Sequence, residues 1–170
     1  MAARSNAAAA RRPGASEARL LHEIRQTKPF VSAGQASLVA LLVTAARVER
    51  VLEQQLAAEN ITPAQYNVLR ILRGAGAPLP TMEIAERMIE ASPGITRLVS
   101  RLEHDGLVAR ETCREDGRRV LCRITREGLH LLSRLDPTIN ALDERLTAPL
   151  DERQHLTLLD LLDALRGATG

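Results

Sequence analysis

The sequence predicts a mainly α-helical protein carrying one small β-wing, and three observations predict it. Apolar residues recur every three to four positions over most of the chain, which is the spacing of a buried helix face. Aromatic residues are almost absent, Phe30 and Tyr66 being the only two, so the core is built from Leu, Ile, Val and Ala, as suits helices. One region leaves the helical period. There Val108–Thr112 and Val120–Ile124 read as strands around Cys113-Arg114-Glu115-Asp116-Gly117-Arg118, whose Asp-Gly pair supports a hairpin turn.

Taken in order, residues 1–15 are rich in Ala, Arg and Ser without periodicity and are expected to form a disordered leader. A short helix follows from Ser16 to Gln26, carrying Leu20, Leu21 and Ile24 and stopping before Lys28-Pro29. From about Ala33 to Glu59 the stripe Leu38, Leu41, Leu42, Ala45, Val48, Leu52 and Leu56 predicts a long helix. An apolar stripe of that length exceeds the edge of one small domain, and a dimer interface is its natural place. Thr62-Pro63 opens the next helix by a cap and a Pro at the first turn, with Tyr66, Val68, Leu69, Ile71 and Leu72 inward. Gly74 to Pro80 breaks it, and Thr81 is expected to cap a helix to about Met88 with Ile84, Ala85 and Met88 inward.

Ser92 and Pro93 read as N-cap and first helical residue of the following helix, whose apolar face is Ile95, Leu98, Val99 and Leu102. At about 100° per residue the opposite face centres on Pro93, Arg97, Ser100 and His104, flanked by Thr96 and Arg101. Gly106 is free to take φ > 0 at the C-terminus, and Leu107 supplies the apolar contact of such a cap. Hydroxyl and guanidinium groups on one face of a helix can enter a major groove; the same face also suits plain solvation. After the strands Thr125 caps a helix through Leu135, which Asp136-Pro137 is expected to kink or break before it resumes to Leu146. A last helix, Asp151 to Arg166, carries Leu156, Leu158, Leu159, Leu161, Leu162 and Leu165, a stripe wide enough to pair with a partner subunit. The full fold class is therefore a winged helix-turn-helix domain, 61–128, flanked by N-terminal (16–60) and C-terminal (129–170) dimerisation helices.

The net charge of +2 becomes informative when localised. Between Arg97 and Arg126 eight Arg face five acids, leaving +3, whereas between Asp136 and Asp163 two Arg face seven acids, leaving −5. One region attracts phosphate and the other is repelled by it; the acidic region also suits a protein partner, the alternative being a winged-helix protein–protein interaction module that does not bind DNA. A tip carrying Arg114, Arg118 and Arg119 is natural for a wing touching DNA. The lack of aromatics argues against single-strand binding, which stacks bases on aromatic rings. No apolar run approaches the ~18 residues of a membrane span, and no signal-peptide core precedes a cleavage site, so a cytoplasmic protein is expected. No Gly-x-Ser-x-Gly, phosphate-cradling loop or carboxylate pair in an apolar setting is visible, so neither an enzyme nor a cofactor is expected. His22, His104, His130 and His155 lack ligand spacing, which removes a metal centre.

Four linked segments carry a family resemblance. They are Ile61-Thr-Pro-Ala-Gln-Tyr-Asn-Val-Leu-Arg-Ile-Leu, Met82-Glu-Ile-Ala-Glu-Arg-Met, Gly94-Ile-Thr-Arg-Leu-Val-Ser-Arg-Leu-Glu-His-Asp-Gly-Leu-Val, and Glu115-Asp-Gly-Arg-Arg-Val-Leu-Cys-Arg-Ile-Thr-Arg-Glu-Gly. In this order they resemble the MarR family of bacterial transcriptional regulators, closely over Ile61 to Leu135 and only in type and length outside it. The resemblance implies a nucleoid-associated homodimer with interlocked terminal helices. It also implies binding to palindromic double-stranded DNA operators, usually as a repressor, relieved by a small anionic or phenolic effector or by cysteine oxidation.

Carried over residue by residue, the DNA-reading positions are Ser92, Gly94, Thr96, Arg97, Ser100 and Arg101. The wing positions are Arg114, Asp116, Arg118 and Arg119, with Arg118 in the minor groove and Asp116 orienting the loop. Pro93 stands where the family often has a small polar residue, and Gly117 replaces the common first Arg of the wing motif. Arg101 has Glu103, Asp105, Asp116 and phosphate as alternative partners. The effector pocket maps to Phe30, Arg47 and Tyr66, although core packing also suits Phe30 and Tyr66. Cys113 and Cys122 lie on the wing strands, where neighbouring Arg114 or Arg123 would lower a thiol pKa for redox sensing; incidental thiols are the other reading.

Overall fold

The computed structural model describes residues 12–90, 94–112 and 120–168. The chain divides into two compact units, Met1–Glu49 and Arg50–Gly170.

In the first unit, helix α1 spans Ala15–Glu23. Helix α2, Ala33–Leu56, begins here and continues into the second unit. Its first turn is closed reciprocally: the Gln35 amide donates to Ser32 Oγ at 3.1 Å, and the Val31 amide donates to Gln35 Oε1 at 2.7 Å. Leu38, Leu41, Leu42 and Val48 are exposed on α2 of the single chain.

In the second unit, a 3-10 turn over Ala57–Glu59 ends α2, and Asn60 reverses the chain in the left-handed region at φ 57°. Thr62 then caps α3, Pro63–Ala75, through a capping box with Gln65, with Pro63 in the first turn as predicted. Helix α4 is Thr81–Arg87 and helix α5 is Ile95–His104. Strands β2 (Val108–Thr112) and β3 (Val120–Ile124) pair antiparallel from Val108↔Ile124 to Thr112↔Val120. Helix α6 is Arg126–Thr147 and α7 is Glu152–Gly167. The core joins Leu56, Val68, Leu69 and Leu72 to Ile84, Val99, Leu102, Val108, Cys122 and Leu132. Leu, Ile and Val dominate it, in keeping with the scarcity of aromatics.

Three expectations need correction. The sheet has three strands, not two: Leu79–Pro80 forms β1 and pairs with β3 through Leu79↔Cys122 and Pro80↔Leu121, giving the order β1-β3-β2. Pro80 sits on an edge strand, where its missing N–H is tolerated. Thr81 does not cap α4 but is its first residue: the helix starts one position earlier than expected, with Pro80 in the N-cap position, and the Thr81 hydroxyl lies 3.4 Å from Cys122 Sγ. Pro137 does not interrupt α6. The helix buries Leu131, Leu132 and Leu135 before the proline and Ile139 and Leu142 after it. Packing of one continuous face outweighs the single hydrogen bond that the proline removes.

The C-terminal signals of α5 and the Thr125 cap of α6 are as predicted. Gly106 takes φ 74°, and the Leu107 amide reaches back to the Leu102 carbonyl at 2.9 Å. Thr125 caps α6 by accepting from the Gly128 amide at 3.1 Å. Asp151 and Gln154 form a capping box at α7, which buries no residue and exposes Leu156, Leu158, Leu159, Leu161 and Leu165. Among the described residues, no helix is long and apolar enough to cross a membrane.

Candidate nucleic-acid interface

Helix α5 is strongly two-faced because its apolar residues fall at i, i+3, i+4 and i+7. Ile95, Val99 and Leu102 are buried and Leu98 half-buried, while Thr96, Arg97, Arg101 and His104 are exposed and Ser100 is half-exposed. The predicted reading face is thus the solvent face. The expected start of this helix, with Ser92 as cap and Pro93 in the first turn, needs correction: α5 begins at Ile95 with Gly94 in the N-cap position, where there is no side chain to cap with. Ser92 and Pro93 lie outside the described residues.

A groove runs along each side of this helix. Arg97, Leu98 and Arg101 border one of about 580 Å³, whose opposite wall is the start of α3 at Thr62, Ala64 and Gln65. Thr96 borders the other, of about 710 Å³, shared with Thr81, Glu83 and Arg87 of α4 and with Arg110 and Val120 of the sheet. The capping box at the start of α3 already engages the Thr62 and Gln65 amides.

The arginines differ in how much charge they hold free. Among the described residues, Arg97 has no ion-pair partner. Arg101 Nε donates to Asp105 Oδ2 at 3.1 Å, one turn on, which selects one of its alternative partners. Arg110 on β2 donates from Nε to Glu103 Oε2 at 2.7 Å, and Arg87 pairs with Glu83 on α4. Acids on α4 and α5 thereby neutralise much of the surrounding charge and leave Arg97 as the least compensated cation on the helix. The wing positions Arg114, Asp116, Arg118 and Arg119, with Cys113 and Gly117, lie outside the described residues.

Cys122 is wholly buried at the centre of β3. Burial pushes its thiol pKa up, with the Thr81 hydroxyl and the Arg110 charge pulling weakly the other way. That direction is opposite to the one thiolate chemistry requires.

Of the three effector-pocket candidates, Phe30 is buried and Arg47 pairs with Glu23 of α1 at 2.7 Å, both in the first unit. Tyr66, in the second, is buried in the core cluster with the Arg70 guanidinium 5.7 Å from its ring centroid. Loss of water raises its phenol pKa, partly opposed by Arg70. Among the described residues no group of three or more His, Cys, Asp or Glu is placed to hold a metal ion.

Sequence reading missed Asn67, whose side-chain oxygen accepts from the Ile89 amide at 3.1 Å, past the end of α4. The signal was available: Asn is a poor helix former, and here it stands in mid-helix between two core residues. The Glu103–Arg110 pair was also missed, since its pairing depends on how β2 folds back beside α5.

The family model described as MarR family matches residues 59–119. The chain is 31% identical over 106 residues to the HTH-type transcriptional regulator FarR of Neisseria gonorrhoeae, covering 62% of this chain and 72% of FarR. It is 30% identical over 107 residues to the homoprotocatechuate degradative operon repressor of Escherichia coli, covering 61% and 70%. Across the curated relatives matched first, the chain spans 64–72% of their own length. The crystal structure of the PcaV transcriptional regulator from Streptomyces coelicolor in complex with its natural ligand is similar at a TM-score of 0.64 and 30% identity. That likeness covers 74% of this chain and 91% of PcaV. With the helix order, the wing strands and the two-faced α5 in place, these likenesses make the conclusion plain: the chain belongs to the MarR family of transcriptional regulators, proteins that are not enzymes.

Proposed function

We propose that this chain is a cytoplasmic, sequence-specific double-stranded-DNA-binding repressor that acts as a homodimer on a palindromic operator and is released by a small phenolic or anionic effector. The observation that carries the reading is the solvent face of α5, where Thr96, Arg97 and Arg101 stand exposed above buried Ile95, Val99 and Leu102. Arg97 is the bidentate base reader, Thr96, Ser100 and Arg101 supply lesser base or phosphate contacts, and Gly94 and Ser92 complete the proposed reading set. Arg118 of the wing enters the minor groove, with Arg114 and Arg119 on phosphates and Asp116 orienting the loop.

The exposed leucines of α2 and α7 support dimerisation, since stripes of this size are covered in stable proteins. A two-fold axis would then set two reading helices about one helical turn of DNA apart. Repression and response to a small ligand are supported by the names of two relatives, an operon repressor and a regulator crystallised with its natural ligand. Phe30, Arg47 and Tyr66 are the proposed effector contacts.

The test is a gel shift with the promoter region beside the chain's own gene, repeated with Arg97→Ala and Arg118→Ala. Loss of the shifted band in both variants, with the fold intact by circular dichroism, is expected. Retention in both would reject the assignment of reading helix and wing.

A further inference from the structure

Asn67 stands in the middle of α3, half-buried between the core residues Tyr66 and Val68. Its carbonyl oxygen accepts from the Ile89 amide, a bond between residues 22 apart in sequence. Ile89 lies just past α4: Met88 leaves the helix in extended backbone at φ −65° and ψ 142°, its amide bonding back to the Ala85 carbonyl. The Ile89 amide has therefore left the helical ladder, and the Asn67 side chain supplies its acceptor. Side-chain packing offers no substitute at this point. Met88 packs half-buried against the core, but Ile89 is 83% exposed. Hydrophobic contact anchors the chain as far as Met88, and the Asn67 bond carries the anchoring one residue further, to Ile89. Asn competes with the helical backbone for hydrogen bonds, so a mid-helix Asn engaged in a tertiary bond is spent on position and not on helix stability.

We infer that Asn67 is a positioning residue for sequence readout, fixing the exit of α4 against α3 and so the path by which the chain enters the reading helix. The inference rests on the DNA-binding reading above. Without Asn67, α5 stays folded, because Ile95, Val99 and Leu102 remain in the core they share with Val68 and Leu69. Its aim is what loosens. Base-edge contacts demand close placement, whereas phosphate contacts tolerate displacement. Loss of the bond therefore lowers affinity for a selected sequence more than affinity for arbitrary DNA.

The experiment uses the full chain, a duplex selected by the wild-type protein from a randomised pool, and poly(dI-dC) as the non-specific competitor. Asn67→Leu keeps the size and removes the acceptor; Asn67→Asp keeps the acceptor and adds a charge. The expected result is a fall of roughly two- to tenfold in the specific-to-non-specific affinity ratio for Asn67→Leu. Asn67→Asp should restore the ratio even if its negative charge weakens both affinities together, and the Ile89 amide should exchange with solvent faster in Asn67→Leu alone. An unchanged ratio in Asn67→Leu, or no recovery of it in Asn67→Asp, overturns the inference. A merely structural role would lower both affinities alike and leave the ratio where it was. If Asn67→Leu does not fold, the Asn67→Asp ratio and protection of the Ile89 amide in the wild type decide. Failure of the wild type to enrich any sequence would reject the DNA reading itself, a separate outcome.

Discussion

Arg73 of α3 donates two hydrogen bonds to the Asp136 carboxylate of α6, from its two terminal nitrogens at 2.7 and 3.0 Å, one residue before Pro137. The bidentate pair clamps the long helix to the winged domain at the point where a proline would otherwise break it. Hydrogen bonding to Arg73 holds the Asp136 carboxyl below its ordinary pKa, with some opposition from burial. Both side chains are about a third exposed, so solvent screening keeps the pair near the upper end of surface ion pairs, about 1 kcal/mol.

Asp136→Asn should lower the melting temperature by roughly 2–4 °C at neutral pH. Because the folded-state pKa lies below the unfolded value of about 3.9, the pair's contribution is present above that pH and is lost as pH falls through the folded pKa. Denaturation of both proteins from neutral pH down to about pH 3 should show the gap between them closing below about pH 4. A constant gap would mean that the clamp contributes through packing alone.

Gly128→Ala should be severely destabilising. A Cβ there would lie 2.4 Å from the Leu107 carbonyl oxygen and 2.7 Å from Ile124 Cγ1, and the first of these is backbone that cannot swing aside. Thr125 fixes the same junction by donating to the Gly106 carbonyl at 2.7 Å, and its amide donates to the Leu107 carbonyl at 3.0 Å. The expected loss is about 3 kcal/mol or failure to fold, read by chemical denaturation. Gly74→Ala on α3, with open space around its Cβ, should gain about 0.5–1 kcal/mol in the same assay.

Asp105→Asn should release Arg101 from its intrahelical partner and remove an acid from the proposed interface. Affinity for DNA should rise severalfold at low salt. Arg101→Ala should lower affinity and reduce the slope of log K against log salt by about one phosphate contact. If Asp105→Asn weakens binding instead, the carboxylate is orienting Arg101 for a contact and not competing for it.

Cys122 should react with thiol reagents only as fast as the native state opens, measured in a Cys113→Ser background so that one thiol is followed. Its folded-state pKa is raised by burial. The unfolded chain therefore loses the proton first as pH passes about 8.5, and stability should decline above that value. Labelling at the rate of the unfolded chain under native conditions would contradict the burial.

Legibility in the sequence followed how local each signal is. The two wing strands, the caps at Thr62 and Thr125, and Gly106 at the end of α5 each depend on a few neighbouring residues, and each was readable. The outward set Thr96, Arg97, Ser100 and Arg101 was readable for the same reason, as helical periodicity alone separates it from Ile95, Val99 and Leu102. What escaped depends on partners distant in sequence. Leu79–Pro80 becomes a strand only because Leu121 and Cys122 arrive beside it. Pro137 is tolerated because Arg73 and the buried face of α6 hold both halves of the helix. Asn67 acquires its role from an amide 22 residues away.

The central claim is that the solvent face of α5 reads DNA, and the most direct measurement is binding anisotropy of wild type and Arg97→Ala on a selected duplex between roughly 50 and 200 mM salt. A steep fall with salt is expected for both, with a loss of about 1–3 kcal/mol for Arg97→Ala that relaxes preference at one base position in each half-site. Equal affinity and equal sequence preference in the two proteins would contradict it.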